Sequence, residues 1–296
     1  MVDGKVLMDP GEIIDAQIAT YRDRPPDNLL SLSEFGVRGV RGKVRRIEIS
    51  GHTVDFWGPK NPTHVLIAHD GDEMFDRKAT SSRQTFKLAE ISQRVALKRN
   101  LQPPLLIGIF HSKSNEDPKG RHKDLFPEKF RNEAAADQYR DLELRGDSYQ
   151  RKIALEIFPT ILDLLKAQIA MNRTAIFGAS MGGLSALYGM ASYPNVYGTG
   201  LIFSPHWIIG GNELVKNLID SLPDPTHHRL WLSRGTTGLD ALYEPFQKLA
   251  IENALGNGWI QGNNFHHEVF RRTGHNQRSW RSYLAKAINF WLSESE

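Results

Sequence analysis

The sequence predicts an α/β fold, a mostly parallel central sheet with helices on both faces and a lid-like insertion. Three observations predict it. Short, wholly apolar runs recur along the chain and read as strands buried on both faces. Amphipathic stretches separate most of these runs, so consecutive strands must cross over and lie parallel. One strand-like run, Thr174-Ala175-Ile176-Phe177, passes straight into Gly178-Ala179-Ser180-Met181-Gly182 and then into the apolar-periodic stretch Leu184 to Met190, a strand–turn–helix unit.

Taken in order, Met1 to about Phe35 is a polar lead-in with one amphipathic stretch, Glu12 to Tyr21, and a break at Pro25-Pro26. Val44 to Ile49 and His52 to Phe56 are two strands around the turn Ser50-Gly51. Val65 to Ala68 is a buried strand ending in His69-Asp70-Gly71, Phe86 to Leu97 an amphipathic helix, and Leu105 to Phe110 a second buried strand. Tyr149 to Met171 is expected as one long helix interrupted at Phe158-Pro159. Thr174 to Phe177, Gly200 to Phe203, Leu230 to Leu232 and His267 to Phe270 supply four more strands, and Ser279 to Leu292 a closing helix. The charged segment Ser112 to Asp147, with Pro118, Gly120, Pro127 and Gly146, is read as irregular and as a lid at the carboxyl edge of the sheet. The domain plan is therefore an extension over 1–40 and a catalytic domain over 41–296, with the lid at 112–147.

Composition narrows the function classes. The chain has 296 residues, 40% hydrophobic and 24% charged, with a formal net charge of +3. The charges are interspersed, so a nucleic-acid partner is not expected, and the cluster Arg38, Arg41, Lys43, Arg45, Arg46 reads as a solvated strand face. Cysteine is absent, which removes disulfides, thiolate nucleophiles and cysteine-bound metals. No apolar run reaches the roughly 18 residues of a membrane span, and Met1-Val2-Asp3-Gly4-Lys5 lacks the pattern of a secretory leader, so no membrane partner and a cytoplasmic location are expected. No cofactor and no metal are expected; His266-His267-Glu268 lacks the helical spacing of a zinc motif. Whether residues 1–40 swap between subunits of a homo-oligomer or cover a sheet edge is left open.

The G-x-S-x-G turn at Ser180 is a nucleophile-elbow pattern. Its small neighbours permit a strained serine backbone, and the turn sets the Met181 N–H at a helix N-terminus, aimed at an oxyanion. A serine nucleophile needs a base and an acid that orients it, and after such an elbow the chain order is Ser, acid, His. Of eleven histidines, His275 alone sits in the loop just beyond the last strand; His266 and His267 lie within that strand and are read as structural. Asp240 is the first carboxylate after the strand Leu230-Trp231-Leu232 and is taken as the acid, with Glu244 in reserve. The second oxyanion donor is assigned to the N–H of Asp72, presented by the turn at Gly71, with the Asp70 side chain bracing the loop. His206 and Trp207, just past a strand, are taken as pocket-lining residues; Trp280 is read as packing under His275 or into the core; Arg121, Lys123 and Arg131 are read as a solvated lid surface.

These blocks resemble a known group. The Asp70-Gly71 loop, Gly178-Ala179-Ser180-Met181-Gly182-Gly183, Ser204-Pro205-His206-Trp207, Gly235-Thr236-Thr237-Gly238-Leu239-Asp240 and Gly274-His275-Asn276-Gln277, in this order, look like the esterase D, enterochelin esterase and antigen 85 group of the α/β-hydrolase superfamily, over roughly 45–292. The resemblance implies the α/β-hydrolase fold, with Ser180 as nucleophile, His275 as base and Met181 and Asp72 as oxyanion donors. Many relatives carry Glu just after the Gly-Thr pair; here Thr237 stands there and the acid is assigned to Asp240. The function expected is hydrolysis of small or aryl carboxylic esters through an acyl-enzyme. A siderophore or feruloyl esterase, an acyltransferase and a non-catalytic binding scaffold stand as alternatives.

Overall fold

The structure is a computed structural model that describes residues 30–80, 82–131, 139 and 141–293. The amphipathic stretch Glu12 to Tyr21, the Pro25-Pro26 break and most of the expected 1–40 extension lie outside the described residues.

The apolar runs become strands β1 (Leu30–Gly36), β2 (Lys43–Ile49), β3 (His52–Trp57), β4 (Val65–Ala68), β5 (Leu105–Ile109), β6 (Thr174–Ala179), β7 (Thr199–Phe203), β8 (Arg229–Thr237) and β9 (Phe265–Gly274). They form one sheet in the order β1-β2-β3-β5-β4-β6-β7-β8-β9. The first four in that order pair antiparallel through β1–β2, β2–β3 and β3–β5, and every pair from β5–β4 to β8–β9 is parallel. The split follows the connections. Two residues join β2 to β3, enough only for a hairpin, whereas the later strands are separated by helices that carry the chain back to the same edge.

Alternation along each strand divides the interior into two cores. Val65 and Ile67 of β4, Ile176 of β6, Ile202 of β7 and Leu230 and Leu232 of β8 point to one face. It is covered by α3 (Gly146–Lys152), α4 (Phe158–Leu165), α5 (Met181–Ser192), α6 (Gly211–Asp220) and α7 (Glu244–Gly256). Leu66, Phe177, Phe203 and Trp231 point to the other face, under α1 (Leu88–Lys98) and α8 (Gln277–Leu292). With both faces buried, the central strands read as apolar runs rather than as alternating ones. Among the described residues no helix is long and apolar enough to cross a membrane.

Four local departures from expectation have physical causes. β1 was not anticipated; it extends the sheet beside β2, where Glu34 stands opposite Arg45 and also meets Lys43. Arg46 turns to Asp55 across β2–β3 with two hydrogen bonds of 2.7 Å, so with Lys43 and Arg45 on Glu34 three of the five basic residues of the cluster are paired. The long helix expected at 149–171 begins at Gly146 and ends at Leu165, where Lys166 adopts a left-handed backbone (φ 51°) that stops it. Its interruption is a π turn at Ile153–Ile157, whose extra residue in the turn makes room for the Pro159 ring that would otherwise strike the preceding turn. The segment read as irregular contains a short helix, α2 (Gly120–Leu125), anchored by Asp124, which accepts from the Ser112 backbone at 2.7 Å and from Arg145 at 3.0 Å.

The last two strands lose register near their carboxyl ends. Gly235 pairs with Phe270, but the next pair is Thr237 with Gly274, so β9 carries two more residues than β8 across the gap. Thr236 Oγ1 accepts from the Arg272 N–H and Thr237 Oγ1 donates to the Thr273 carbonyl, pinning the bulge.

Candidate active site

Every sequence-predicted polar residue of the site lies at the carboxyl ends of the parallel strands, where β4, β6, β7, β8 and β9 hand over to loops or helices. Ser180 stands between β6 and α5 with φ 59° and ψ −124°, a backbone that costs a non-glycine residue about 1–3 kcal/mol. The turn is held by backbone bonds from Ser180 N to the Phe203 carbonyl and from Gly183 and Leu184 N to the Ser180 carbonyl. Gly178 is required for closeness: a Cβ there would lie 1.9 Å from the Gly182 carbonyl oxygen. The Met181 N–H opens α5, where helix geometry supplies no intrahelical acceptor for it.

His275 follows Gly274 at the end of β9 and precedes Asn276, whose side chain caps α8 by accepting from the Ser279 N–H. This pins the imidazole over the turn. Ser180 Oγ lies 2.8 Å from His275 Nε2, and His275 Nδ1 lies 2.7 Å from Asp240 Oδ1. Asp240 sits in a short 3-10 helix, Gly238–Tyr243, directly after β8 and is fully buried. Its second oxygen accepts from Gly235 N at 2.7 Å and Ser204 Oγ at 2.8 Å, so each carboxylate oxygen is satisfied. Trp280 donates to Ser204 Oγ at 3.0 Å and meets the His275 ring edge-on at 4.8 Å, while its other face stacks on Phe86. Ser180, His275 and Asp240 are thus one hydrogen-bonded chain. Glu244, the reserve acid, is exposed and pairs with Arg234 at 3.3 Å instead.

Asp70, Gly71 and Asp72 form the loop after β4. It packs against the start of α5, so that a Cβ on Gly182 would come within 2.9 Å of Asp70 Oδ2. Asp72 lies in the 3-10 turn Gly71–Glu73, whose first N–H groups likewise have no intrahelical acceptor. Asp70 is held by Arg121 of α2 through two bonds of 2.6 and 2.9 Å. Burial pushes the Asp70 carboxyl up, but the Arg121 charge and hydrogen bonds outweigh it and hold Asp70 below the usual carboxylate range. Arg121 therefore belongs to the interior of the site, not to the solvated surface expected for it. Glu73 is pushed up to about 7 by burial and by the neighbouring Asp70 charge, and accepts from Gln277 Nε2 at 2.7 Å. That bond ties the β4 loop to the residues just past His275.

Asp70, Asp72 and His111 bring three metal-ligand atoms within 4.8 Å of one another, although both Asp70 oxygens are already engaged by Arg121. His206 follows β7, and its backbone N–H donates to the Ser180 carbonyl at 3.2 Å, placing it beside the turn. Trp207, expected beside it in a pocket, is a correction. The 3-10 turn Trp207–Ile209 swings the indole inward, where it is fully buried and its N–H faces Gln247 Oε1 at 3.4 Å, so it offers no surface to a ligand. His266 stacks on Trp231 at 4.4 Å and His267 packs on Phe265. Sequence reasoning passed over Ser204, Gly235, Glu73, Gln277 and Tyr243. Ser204, Gly235 and Gln277 lie inside short blocks already singled out, but the partners that give Ser204 and Gln277 a role are 36 and 204 residues away.

Residues 50–290 match the Putative esterase family. No curated protein sequence matches the chain. Among solved structures it is similar to the enterobactin esterase of Shigella flexneri, with TM-score 0.61 and 14% identity over 92% of this chain and 61% of that one. It therefore spans about three fifths of the length of that protein. It is also similar to the BES protein from Bacillus cereus (TM-score 0.59, 17% identity, 88% and 94% covered) and to a ferulic acid esterase (TM-score 0.57, 13% identity, 88% and 96% covered). These likenesses, at such identities, are likenesses of fold, and the fold is of the α/β-hydrolase type. The chain belongs to the Putative esterase family.

Proposed function

We propose that the chain hydrolyses small or aryl carboxylic esters through an acyl-enzyme on Ser180. The observation that carries this is the unbroken hydrogen-bonded chain from Ser180 through His275 to Asp240, at the mouth of a strained turn. Asp240 fixes the Nδ1–H tautomer of His275, which leaves Nε2 free to take the Ser180 proton as Oγ attacks the ester carbonyl. The carbonyl oxygen becomes an oxyanion, held by the N–H groups of Met181 and Asp72. His275, now an imidazolium stabilised by Asp240, gives its proton to the departing alcohol. Water then enters, loses a proton to His275, and releases the acid from Ser180 by the same route. Charge grows only on the oxyanion and the imidazole, and both stand on groups already oriented before substrate arrives.

The test is hydrolysis of p-nitrophenyl acetate, butyrate and octanoate by wild type and by Ser180→Ala, Asp240→Ala and His275→Ala. Turnover that each substitution removes supports the assignment; full activity in Ser180→Ala ends it. Two of the similar structures are named for esterases of enterobactin and of ferulic acid, so catechol-type and feruloyl esters form the second substrate panel. An added alcohol acceptor in the same assay separates hydrolysis from acyl transfer by the product formed.

A further inference from the structure

His206 has one ring nitrogen fixed and one open. Its Nδ1 lies 2.5 Å from the Tyr243 hydroxyl. Tyr243 is fully buried, and burial together with the nearby Asp240 charge pushes its ionisation well up, so it remains a phenol with a proton to place. His206 Nδ1 is the hydrogen-bond partner the Tyr243 hydroxyl finds among the described residues. A buried O–H with one acceptor in reach donates to it, which makes Nδ1 the acceptor and puts the imidazole proton on Nε2. Burial, then the charges of His275, Arg121 and His122, lower His206 to about 4, so the ring is neutral at neutral pH. A neutral imidazole of this kind is a fixed N–H donor, not an acid or a base in turnover. Its Nε2 carries no hydrogen bond among the described residues, and the ring is only partly covered.

The position of the ring says what that donor meets. Its centre lies 6.4 Å from the centre of the His275 ring, and its backbone is bonded to Ser180. His275 hands a proton to the departing alcohol, so a group beside His275 faces the alcohol part of an ester. Ile208, two residues past His206, and Leu242, just before Tyr243, are 37% and 59% exposed and make the neighbouring surface apolar. We propose that His206 is a specificity-determining residue whose Nε2–H, oriented by Tyr243, binds an oxygen in the alcohol part of the substrate, so that esters of diols, polyols or hydroxy acids are favoured over esters of simple alkyl alcohols. The proposal rests on the serine-esterase function above.

Butyl acetate and 2-methoxyethyl acetate have the same number of heavy atoms and differ by one ether oxygen. The ratio of their kcat/KM values is measured in wild type, His206→Phe, His206→Gln and Tyr243→Phe; comparing ratios between proteins cancels the intrinsic reactivity of the two esters. His206→Phe is expected to lower the preference for the methoxyethyl ester about tenfold, the effect of losing one donor to an uncharged oxygen. His206→Gln, which keeps an N–H at similar reach, restores part of it, and Tyr243→Phe, which frees the tautomer, lowers it less than His206→Phe. Independently of turnover, ¹⁵N NMR of histidine-labelled protein, assigned with His206→Gln, is expected to show the His206 proton on Nε2 from pH 5.5 to 8. A proton on Nδ1, or an unchanged ratio in His206→Phe, overturns the proposal, as does a preference that appears only when the ether oxygen is moved to the acyl side. If Ser180→Ala retains wild-type turnover, the serine-esterase function fails; if Ser180→Ala is inert while the ratio is the same in wild type and His206→Phe, only the role of His206 fails.

Discussion

Replacing Asp240 by Asn exchanges one oxygen for an NH₂ group and should cost nearly all of the activity. Asp240 Oδ2 accepts from the Gly235 N–H at 2.7 Å, a backbone donor that cannot reverse, and from Ser204 Oγ at 2.8 Å. Trp280 donates to that same Ser204 oxygen at 3.0 Å, which leaves the hydroxyl proton directed at Asp240. An Asn side chain must therefore place its carbonyl oxygen where Oδ2 was and its NH₂ toward His275 Nδ1, 2.7 Å from the atom it replaces. Nδ1 is then forced to accept, the ring proton moves to Nε2, and Nε2–H points at Ser180 Oγ in place of a lone pair. The base has been lost with the geometry intact. The expected fall in kcat/KM on p-nitrophenyl acetate is on the order of 10⁴-fold, about 5.5 kcal/mol in the barrier. Circular dichroism should show an unchanged fold, and Glu244→Gln, measured alongside, should stay within about twofold because that exposed carboxylate touches Arg234 and not His275. An Asp240→Asn protein that keeps more than a tenth of wild-type activity, beside an inert Ser180→Ala, would refute Asp240 as the orienting acid.

Three other outcomes follow from the same geometry. Gly178→Ala forces a methyl group to within 1.9 Å of the Gly182 carbonyl and should destabilise by about 3 kcal/mol, read as a fall of roughly 5–10 °C in Tm; an unchanged Tm would mean that the turn relaxes freely. Arg121→Met leaves the Asp70 charge buried without its partner and should cost about 3 kcal/mol in urea unfolding at pH 7, at the low end of the range because the guanidinium keeps some exposure; the deficit should shrink at pH 5, where Asp70 can take up a proton. Glu73 ionises at about 7 in the folded chain against an ordinary 4.5, so between those values the folded state holds a proton that the unfolded state has lost, and stability falls as pH rises. Glu73→Gln keeps the acceptor for Gln277 and should remove about 2 kcal/mol of that decline between pH 5 and pH 8, a slope that parallel unfolding series would detect.

What could be read from the sequence is what local chemistry writes down. Ser180 was legible because a strained strand-to-helix turn needs Gly178, Ala179 and Gly182 around it, and His275 because it follows the last apolar run. Asp240 was legible by counting to the first carboxylate past a strand. The two-faced burial of the central strands was legible because each carries a run of consecutive apolar residues, such as Val65 to Ala68 and Leu230 to Leu232. Trp207 was misread because sequence order does not reveal which way a 3-10 turn faces, and here the indole closes the core beneath the site. Arg121 looked like lid surface because its partner, Asp70, is 51 residues away on another element. β1 was passed over although Leu30-Ser31-Leu32-Ser33 alternates, since a short polar-rich strand gains its stability from the cross-strand pairing of Glu34 with Arg45 rather than from an apolar run. The π turn at Ile153–Ile157 leaves no compositional trace beyond Pro159.

The bulge between β8 and β9 meters chain length. Strand residues advance about 3.3 Å each, so the two surplus residues between Phe270 and Gly274 absorb about 7 Å of contour before His275 is reached. A hydrogen bond of 2.8 Å to Ser180 tolerates a small fraction of that. Removing both surplus residues would let the ladder run on with Gly274 still opposite Thr237, at the cost of the local twist and of the Thr236 and Thr237 hooks; removing one leaves an odd surplus and turns His275 toward the wrong side of the sheet, out of reach of the serine. The spacing of the site is thus set by a residue count as much as by residue identity. Arg271, Arg272 and Thr273, which touch no reacting atom, are the ruler by which the base is cut to length.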